Sequence, residues 1–449
     1  MISSLSEQLA GLLGDHHVAP PHRLPDYAVD GLTPQAVVQP DTREAISEVL
    51  RWAASEGLAV MPRGGGTQLS LGNLPRRVDL VLDLSKLNRL LDYQPADLTA
   101  TVEAGITLDA LQRELAPGGK LAPLEAPLPH RATAGGILAT SASGPLRHTY
   151  GPARDWLIGV SVVGPDGVET RAGGKVVKNV TGYDLNKLYT GSLGTLGIIV
   201  EATFKLAPVS AEGGAVVAVF PSLQPGLAAS RDLLARVFAP QGVQVANAPV
   251  ARRLSLPVAA VQDEVVVLAH FSGRPRAVRR CIDESARLLQ AGGATGLERL
   301  DQEAAAGLLR RLTDLGWTGE TAPHLGLRLN VPPNQLAGAV TWPDVAGREA
   351  PPGIVADPGF GGVRLLWWRD SDIPTLDDPA ALAIIHRVQE RAATGGGSAI
   401  VEHCPLSIKP HIDVWGKAPD PALLELMRRI KHNLDPSGTL NPGRFVGRL

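Results

Sequence analysis

A run of three glycines directly after a predicted strand constrains this chain more than any other feature. The segment LAVMP, residues 58–62, predicts a strand, and Arg63-Gly64-Gly65-Gly66-Thr67-Gln68 follows it. Consecutive glycines let backbone N–H groups converge on an anion because no Cβ blocks the approach. The Arg63 and Thr67 side chains can add a charge and a hydrogen bond to a diphosphate. A plain tight turn explains the glycines alone equally well.

The residues after this loop exclude two common phosphate-binding motifs. No Gly-Lys-Ser/Thr follows the glycines, so the loop is not of the Walker type. The next segment, LSLGNLPRR at residues 69–77, contains Pro75 and further turn residues where a Rossmann motif would open a helix. We therefore predict that glycine-rich loops outside a Rossmann fold hold the ligand.

Two later passages are rich in small residues. Ala132-Thr133-Ala134-Gly135-Gly136 precedes Ser141-Ala142-Ser143-Gly144-Pro145, a density of glycine and serine that a helix or strand interior does not favour. We therefore expect a loop, and the interleaved Ile137 and Leu138 indicate a packed loop rather than a flexible one. Such a loop lets a flat ligand lie close to the backbone.

A third group of glycines leads into a strand. Residues 173–185 read GGKVVKNVTGYDL, and residues 191–199 read GSLGTLGII, where the predicted strand IIVEATFKL begins. Each segment alone is compatible with a hairpin turn. Their order and spacing along the chain are the specific signal.

Composition excludes several other classes of protein. With 44% hydrophobic and 20% charged residues, the chain of 449 residues is typical of a globular protein. Its formal net charge of -2 argues against general nucleic-acid binding. Cys281 and Cys404 are far apart, so neither iron–sulfur clusters, Cys-rich zinc sites nor a disulfide framework is expected. We find neither a secretory signal nor an apolar run of about 20 residues, and we expect a cytoplasmic protein.

Strand and helix patterns divide the chain into sections. Residues 213–345 alternate strands with amphipathic helices such as RAVRRCIDESARLLQAG, which fits a sheet covered on one face by helices. The expected fold class is α+β. The expected domains are an N-terminal helical extension (1–30), a ligand-binding domain (31–210), an α+β substrate or cap domain (211–410), and a C-terminal segment returning to the first domain (411–449).

In this order the motifs resemble the FAD-binding domain of the flavoproteins related to p-cresol methylhydroxylase (PCMH) and vanillyl-alcohol oxidase. They are PRGGGTQLSLG, TAGGILATSASGPLRHTYGPARDWLIGV, GGKVVKNVTGYDLNKLYTGSLGTLGIIVEATFKL and the late LDPSGTLNPGR. Within this family the chain is most similar to the FAD-binding E-type subunit of glycolate oxidase, which also carries a late R-LN-PP strand, present here as residues 327–333. The resemblance is strong over residues 31–210 and 425–445. It implies a PCMH-type, two-lobed FAD-binding domain to which the C-terminal segment returns.

The resemblance also implies which residues contact FAD. The first glycine loop would wrap the pyrophosphate, the small-residue passages would line the ribityl chain and flavin, and the last loops would reach the adenosine side or the flavin edge. The implied set is Arg63, Gly64, Gly65, Gly66, Thr67, Gln68, Ala132, Thr133, Gly135, Gly136, Ser141, Ser143, Gly144, Gly151, Gly197, Ile198, Ile199 and Asn441. Relatives with covalent flavin often carry the attachment histidine in or near the first glycine loop. Thr67 stands where such a histidine could be and cannot attach flavin in that way, so non-covalent FAD is expected.

The richest polar cluster outside these loops is Glu402-His403-Cys404-Pro405 with Lys409 nearby. Hydroxy-acid oxidation needs a base, a cationic clamp for the carboxylate and a hydride acceptor. Glu402, His403 and Lys409 are the catalytic candidates, with Arg328 and Arg364 as further clamp candidates. Related dehydrogenases have a metal-associated Glu-His-Gly patch here, but Cys404 replaces the glycine and no H-x-G-D-G-N-x-H pattern is present, so no metal is expected. A partly buried strand with surface histidines is the plainer alternative.

The resemblance implies FAD-dependent oxidation of a 2-hydroxy acid such as glycolate or lactate. It also implies partners, namely a larger FAD subunit and an iron–sulfur subunit, through which the chain would be peripheral to a membrane. An accessory electron-carrying subunit, whose partner oxidises the substrate, is the alternative that the incomplete metal pattern slightly favours. A flavin reductase acting on a nucleotide sugar shares the fold, but the KNVTGYD and LNPGR segments make it remote.

Overall fold

The computed structural model describes residues 4–175, 184–236, 240–261, 263–319, 321–340, 351–369, 376–417 and 419–449. The chain divides into two compact units. Unit 1 comprises Met1–Ser143, Pro152–Val209 and Ala418–Leu449, and unit 2 comprises Gly144–Gly151 and Ser210–Lys417. No helix within the described ranges is long and apolar enough to cross a membrane.

Elements are numbered in chain order, and each unit contains both strands and helices. The strands of unit 1 are β1 Ala36–Val38, β2 Val60–Arg63, β3 Leu80–Asp83, β4 Leu90–Gln94, β5 Thr99–Glu103, β6 Lys120–Leu121, β7 Leu157–Val163, β8 Glu169–Gly173, β9 Ile198–Lys205 and β10 Ala207–Pro208. Its helices are α1 Leu5–Leu13, α2 Arg43–Ser55, α3 Leu108–Leu115, α4 Ala134–Thr140, α6 Leu185–Tyr189 and α13 Pro421–Leu434.

Unit 2 has longer strands. They are β11 Glu212–Phe220, β12 Gly242–Asn247, β13 Val265–Gly273, β14 Gly296–Leu300, β15 Leu325–Asn330, β16 Gly353–Asp357, β17 Gly362–Trp367 and β18 Ser398–His403. Its helices are α5 Arg147–Tyr150, α7 Leu223–Arg236, α8 Ala248–Arg253, α9 Pro275–Ala291, α10 Gln302–Asp314, α11 Leu336–Val340 and α12 Asp378–Thr394. Short 3-10 turns, among them Lys409–His411 in unit 2 and Val446–Arg448 in unit 1, complete the described structure.

Unit 1 is built on a parallel three-stranded sheet, β1-β3-β2, and an antiparallel five-stranded sheet, β4-β5-β9-β7-β8. Helix α2 begins because the Thr42 hydroxyl accepts a hydrogen bond from the Ala45 N–H, and Glu56 ends it. Its apolar stripe, with Ile46 and Leu50, is fully buried against the small sheet. Burial of each such side chain contributes about 1.5–3 kcal/mol, which fixes the sheet as a platform for the loops at its strand ends.

Residues from the C-terminal segment extend the small sheet. The Val60 N–H donates to the Thr439 carbonyl at 2.8 Å, and the Asn441 N–H donates to the Val60 carbonyl at 2.9 Å. Residues 439–441 therefore run parallel to β2, the strand that leads into the glycine loop. This pairing places Asn441 beside that loop although the two are almost 380 positions apart in the sequence.

The eight-stranded sheet of unit 2, ordered β14-β11-β13-β12-β16-β17-β15-β18, is covered by helices on both faces, not on one as expected. Val216 and Phe220 of β11 face a core that contains α7, α9 and α12, whereas Val217 and Val219 face a second core with α8 and α10. A strand buried on both faces is apolar at every position and hides the period-2 pattern that would have revealed this arrangement.

Candidate functional site

A cleft in unit 1 is formed by loops that come together from four parts of the sequence. It encloses about 880 Å³ of space between its lining atoms, including its open mouth. The walls are the glycine loop after β2, the start of α4, the segment before and into β9, and the C-terminal residues beside β2. The residues that concern us are Arg63, Gly64, Gly65, Gly66, Thr67, Gln68, Leu69, Leu71, Ala132, Thr133, Gly135, Gly136, Leu193, Gly197, Ile198, Ile199, Asn441 and Arg444.

The glycine loop lies against residues 131–133 so closely that side chains cannot be accommodated. A Cβ added at Gly65 would lie 1.7 Å from the Arg131 carbonyl oxygen, and one at Gly64 would lie 2.2 Å from the Thr133 Oγ1. Gly66 has φ +69°, a left-handed conformation that favours glycine. Close packing and backbone conformation therefore explain why glycine occupies these three positions. The three residues also line the cleft.

The small-residue passage that we expected to be a loop is instead a helix, α4, at residues 134–140. Thr133 caps it, since its hydroxyl accepts from the Gly136 N–H. A Cβ at Gly135 would lie 2.8 Å from the Ala104 Cβ, so the glycine lets the helix approach the neighbouring chain. Burial of Ile137 and Leu138 outweighs the low helix propensity of the two glycines.

Asn441 lines the cleft and has an unused hydrogen-bond acceptor. Its Nδ2 donates to the Leu193 carbonyl at 2.7 Å, and its Oδ1 is buried without a hydrogen-bond partner. Asn441 and Leu193 both have left-handed backbones, with φ +45° and +53°. An unpaired buried acceptor and two strained residues at one wall fit a ligand that supplies an N–H or O–H donor.

Arg63 lines the cleft, and its guanidinium group contacts Tyr27 and Asp26. Its guanidinium stacks on the Tyr27 ring, 4.1 Å from the centroid, and its Nη1 donates to the Asp26 carbonyl at 3.2 Å. Its Nε is buried without a hydrogen-bond partner. The positive charge is thus held beside a cleft lined mostly by backbone and apolar groups, an environment suited to a flat ligand with a diphosphate.

The structure brings most, but not all, of the predicted FAD-binding residues to this cleft. Its walls include the predicted residues from Arg63 to Gln68, from Ala132 to Gly136, from Gly197 to Ile199, and Asn441. Four predicted residues are not among its lining residues, namely Ser141, Ser143, Gly144 and Gly151. Ser141 ends α4 with φ +51°, while Gly144 and Gly151 belong to unit 2. The KNVTGYD segment spans residues 178–184, and all of it except Asp184 lies outside the described residues.

A second polar cluster lies in unit 2, on the sheet face opposite the core that contains α12. The Arg328 Nε lies 2.8 Å from the Glu402 Oε1, and the Arg364 Nε lies 3.3 Å from the Glu402 Oε2. Burial alone would raise the pKa of Glu402, but the two arginines hold it below its ordinary value. The carboxylate on β18 therefore stays ionised between two guanidinium groups, one from β15 and one from β17.

A β-bulge places Glu402 and His403 on this same face. His403 pairs with Gly326, but Val401 pairs with Leu327, so one residue of β18 is extra. Consecutive residues of a regular strand point to opposite faces, and a bulge re-aims them. A Cβ at Gly326 would lie 3.0 Å from the His403 Cδ2, so the glycine makes room for the imidazole.

His403 is held as a neutral imidazole. Burial lowers its pKa to about 4, with Arg364 and Lys409 lowering it further and Glu402 opposing them. The Trp317 ring packs edge-on against it, with centroids 4.6 Å apart. The structure thus gathers the three predicted catalytic residues, Glu402, His403 and Lys409, in one place.

Two buried nitrogens of this cluster have no hydrogen-bond partner, the His403 Nε2 and the Arg364 Nη2. Two consecutive residues pack against them. A Cβ at Gly316 would lie 2.9 Å from the Arg364 Nη2, and the Trp317 ring contacts the His403 ring. The Arg364 guanidinium therefore offers an N–H donor on a cation, and His403 offers a nitrogen of a neutral imidazole. Within the described ranges no group of three His, Cys, Asp or Glu side chains is placed to hold a metal ion.

Sequence reasoning missed Trp317 and Arg444. Trp317 follows α10 in a turn that carries no motif, and nothing in the sequence indicated that it covers His403. Arg444 belongs to the LNPGR segment that carried the resemblance, but no local pattern distinguishes its side chain from its neighbours.

Comparisons with known proteins agree with this geometry. A model of the FAD binding domain matches residues 34–173, and a model of the C-terminal domain of FAD linked oxidases matches residues 371–445. The chain is therefore a FAD-linked oxidoreductase with a FAD-binding domain and a FAD-linked oxidase C-terminal domain. The expected α+β, PCMH-type fold and the FAD cofactor are confirmed.

Individual relatives narrow the class. The glycolate oxidase subunit GlcD of Bacillus subtilis is 28% identical over 427 residues, which cover 92% of this chain and 89% of that protein. The D-2-hydroxyglutarate dehydrogenase of Xanthomonas citri pv. viticola is 36% identical over 46% of this chain and 42% of its own length. The substrate-bound structure of p-cresol methylhydroxylase has a TM-score of 0.75 at 16% identity, covering 98% of this chain and 95% of that one, which shows the shared fold. The chain is thus similar in sequence to a glycolate oxidase subunit and, over part of its length, to a D-2-hydroxyglutarate dehydrogenase.

Proposed function

We propose that this chain oxidises a small 2-hydroxy acid, with glycolate and lactate as the first candidates. The observation that carries the proposal is the pair of unpartnered buried nitrogens, the Arg364 Nη2 and the His403 Nε2, on one face of the sheet of unit 2. A 2-hydroxy acid carries a carboxylate and a hydroxyl on adjacent carbons. The guanidinium N–H can donate to the carboxylate, and the neutral imidazole can accept the hydroxyl proton.

In this proposal each residue of the cluster has a distinct task. His403 removes the hydroxyl proton, Arg364 binds the carboxylate, and Glu402 holds Arg328 and Arg364 in place through its two ion pairs. Lys409, which lies close enough to lower the pKa of His403, helps to keep the base neutral. When bound, FAD accepts the hydride from the substrate carbon. The names of two relatives, glycolate oxidase subunit and D-2-hydroxyglutarate dehydrogenase, support the same substrate class.

The direct test is anaerobic reduction of the bound flavin. Glycolate, D-lactate and L-lactate are mixed separately with the isolated chain, and the visible flavin absorbance is followed. Bleaching by at least one of them is expected, with a rate that saturates as the substrate concentration rises. The unsubstituted acids, acetate and propionate, are the controls and should leave the flavin oxidised.

The alternative is an accessory electron-carrying subunit whose partner oxidises the substrate. Two features favour it: both clamp arginines are already paired with Glu402, and Trp317 covers His403. Failure of all three hydroxy acids to bleach the isolated chain, together with bleaching after addition of a larger FAD subunit, would establish this role. Either way we propose that the chain works with such a subunit and with an iron–sulfur protein, and adjacent reading frames for both would support that assembly.

We further propose that FAD is held without a covalent bond. Thr67 stands in the glycine loop where an attachment histidine of covalent relatives could be, and a threonine cannot form that attachment. Acid or heat precipitation of the yellow protein is expected to leave FAD in the supernatant. Flavin that stays with the precipitated polypeptide would contradict non-covalent binding, and FMN in place of FAD would contradict a diphosphate site at the glycine loop.

The pH dependence of flavin reduction follows from the His403 pKa. Because the folded protein holds this pKa at about 4, the imidazole is already deprotonated at pH 5, and the rate should be flat between about pH 5 and 8. An inflection between pH 6 and 7, near the ordinary value, would count against His403 as the buried base. The effect on stability falls in a lower pH range. The unfolded chain binds this proton near pH 6.5 and the folded chain only near pH 4, so His403 lowers the free energy of unfolding as the pH falls from about 6.5 to about 4.

A further inference from the structure

The buried side chain of Arg444 has an unusual set of partners at one wall of the FAD cleft. Its Nη1 donates to the Asp30 carboxylate at 2.7 Å and to the Asn73 carbonyl at 3.0 Å. Its Nη2 donates to the carbonyls of Leu69 and Leu71. One guanidinium therefore holds three backbone carbonyls of a short segment and balances its charge against a buried carboxylate.

The segment held in this way is the continuation of the glycine loop. Residues 69–73 follow Gln68 directly, and Leu69, Leu71 and Arg444 itself line the cleft. Irregular backbone of this kind has no strand or helix to satisfy its carbonyls, so its conformation depends on side-chain donors. Arg444 supplies them from a part of the sequence more than 370 positions away.

Further hydrogen bonds connect the backbone at Arg444 and Phe445 with Asn73, in the segment that follows the glycine loop. The Asn73 N–H donates to the Arg444 carbonyl at 3.0 Å, and the Asn73 Nδ2 donates to the Phe445 carbonyl at 3.0 Å. Gly72, with φ +105°, permits this approach, because a Cβ there would lie 2.9 Å from the Arg444 carbonyl oxygen. We call residues 439–449 the C-terminal hook; it also carries Asn441, which lines the cleft.

We propose that Arg444, paired with Asp30, is a positioning residue for FAD. It fixes the exit of the glycine loop and the hook in the one arrangement that forms the cleft wall. Its role depends on four acceptors at once, which the forked guanidinium reaches and a lysine ammonium does not. The proposal rests on FAD binding in unit 1 and is independent of which substrate the chain oxidises.

The experiment measures FAD release from the full-length holoprotein. Arg444→Gln, Arg444→Lys and Asp30→Asn are compared with Arg43→Gln, which removes a half-buried arginine of unit 1 that pairs with Glu201 and does not line the cleft. The dissociation constant is obtained from the fluorescence of flavin released on dilution. Urea unfolding at a fixed excess of FAD reports global stability, and the visible circular dichroism of bound flavin reports its environment.

Arg444→Gln is expected to raise the FAD dissociation constant about 10- to 100-fold, the range for loss of charge-assisted hydrogen bonds, and to change the visible dichroism of the flavin that stays bound. Arg43→Gln should lower stability with a dissociation constant within about twofold of the original. Arg444→Lys should restore only part of the affinity. An unchanged constant in Arg444→Gln, or an equal rise in Arg43→Gln, would overturn the proposal. Should Arg444→Gln not fold, Asp30→Asn decides: a rise of about 3- to 10-fold supports positioning, and an unchanged constant refutes it.

Discussion

Protein carrying Gly65→Val is expected to fold but to be purified with less than roughly a tenth of its normal FAD. A Cβ at this position would lie 1.7 Å from the Arg131 carbonyl oxygen, a backbone atom that cannot rotate away. The loop must then separate from residues 131–133, of which Ala132 and Thr133 also line the cleft. The cause is this collision and not the backbone dihedral, because the left-handed conformation belongs to Gly66. Even Gly65→Ala should lose most of the flavin.

The measurement is the ratio of flavin to protein absorbance after purification, with far-ultraviolet circular dichroism to show that the chain is folded. Gly11→Val is the matched control, since Gly11 is an exposed position of α1 where a Cβ meets nothing within 4 Å. It should retain stoichiometric FAD. A folded Gly65→Val protein with full flavin content would place the diphosphate site elsewhere.

His403→Asn is expected to slow anaerobic flavin reduction by about 10²- to 10⁴-fold without releasing FAD, the usual effect of losing a positioned general base. Asparagine keeps a polar group of similar size but cannot take the hydroxyl proton at neutral pH. The reductive step is followed by stopped-flow absorbance with saturating substrate. The flavin content is measured on the same samples, because the two readouts separate loss of base from loss of cofactor.

His270→Asn provides a demanding control for this experiment. His270 lies in the same unit on β13, is fully buried, and burial lowers its pKa to about 4, as for His403. It differs in position, since β13 and β18 are five places apart in the sheet order. The control should leave the rate of reduction unchanged. Full activity of His403→Asn, or equal slowing in both variants, would remove the catalytic assignment and favour the accessory role.

The parts of the molecule that sequence could predict are those with short-range signals. The glycine loop and the helix over residues 275–291 each have their cause within a few neighbouring residues. The prediction of a loop at the small-residue passage was wrong because it relied on the low helix propensity of glycine. Burial of Ile137 and Leu138 makes α4 a helix in spite of its glycines. The helices on the second face of the large sheet were missed because β11 is apolar on both sides.

The candidate catalytic cluster shows what short-range reasoning cannot supply. Glu402, His403 and Lys409 were singled out by composition, but their orientation depends on the bulge opposite Gly326, which no local pattern marks. The ion pairs with Arg328 and Arg364 join different strands and become visible only once register is known. For the same reason Arg444 gave no signal of its own, because its partner Asp30 lies 414 positions away.

Unit 1 is discontinuous, and this bears on how the cofactor is loaded during synthesis. A ribosome that has completed Val209 has made the glycine loop, α4 and β9, yet Asn441 and Arg444 are still unmade. The stretch from Ser210 to Lys417 has to be translated first, which takes roughly 10–40 s at about 5–20 residues per second. During that interval the nascent chain has the small sheet with one edge of β2 unpaired, a template for wrong strand pairing. With Arg444 as the proposed positioning residue, we expect tight binding of FAD to follow the emergence of the hook from the ribosome.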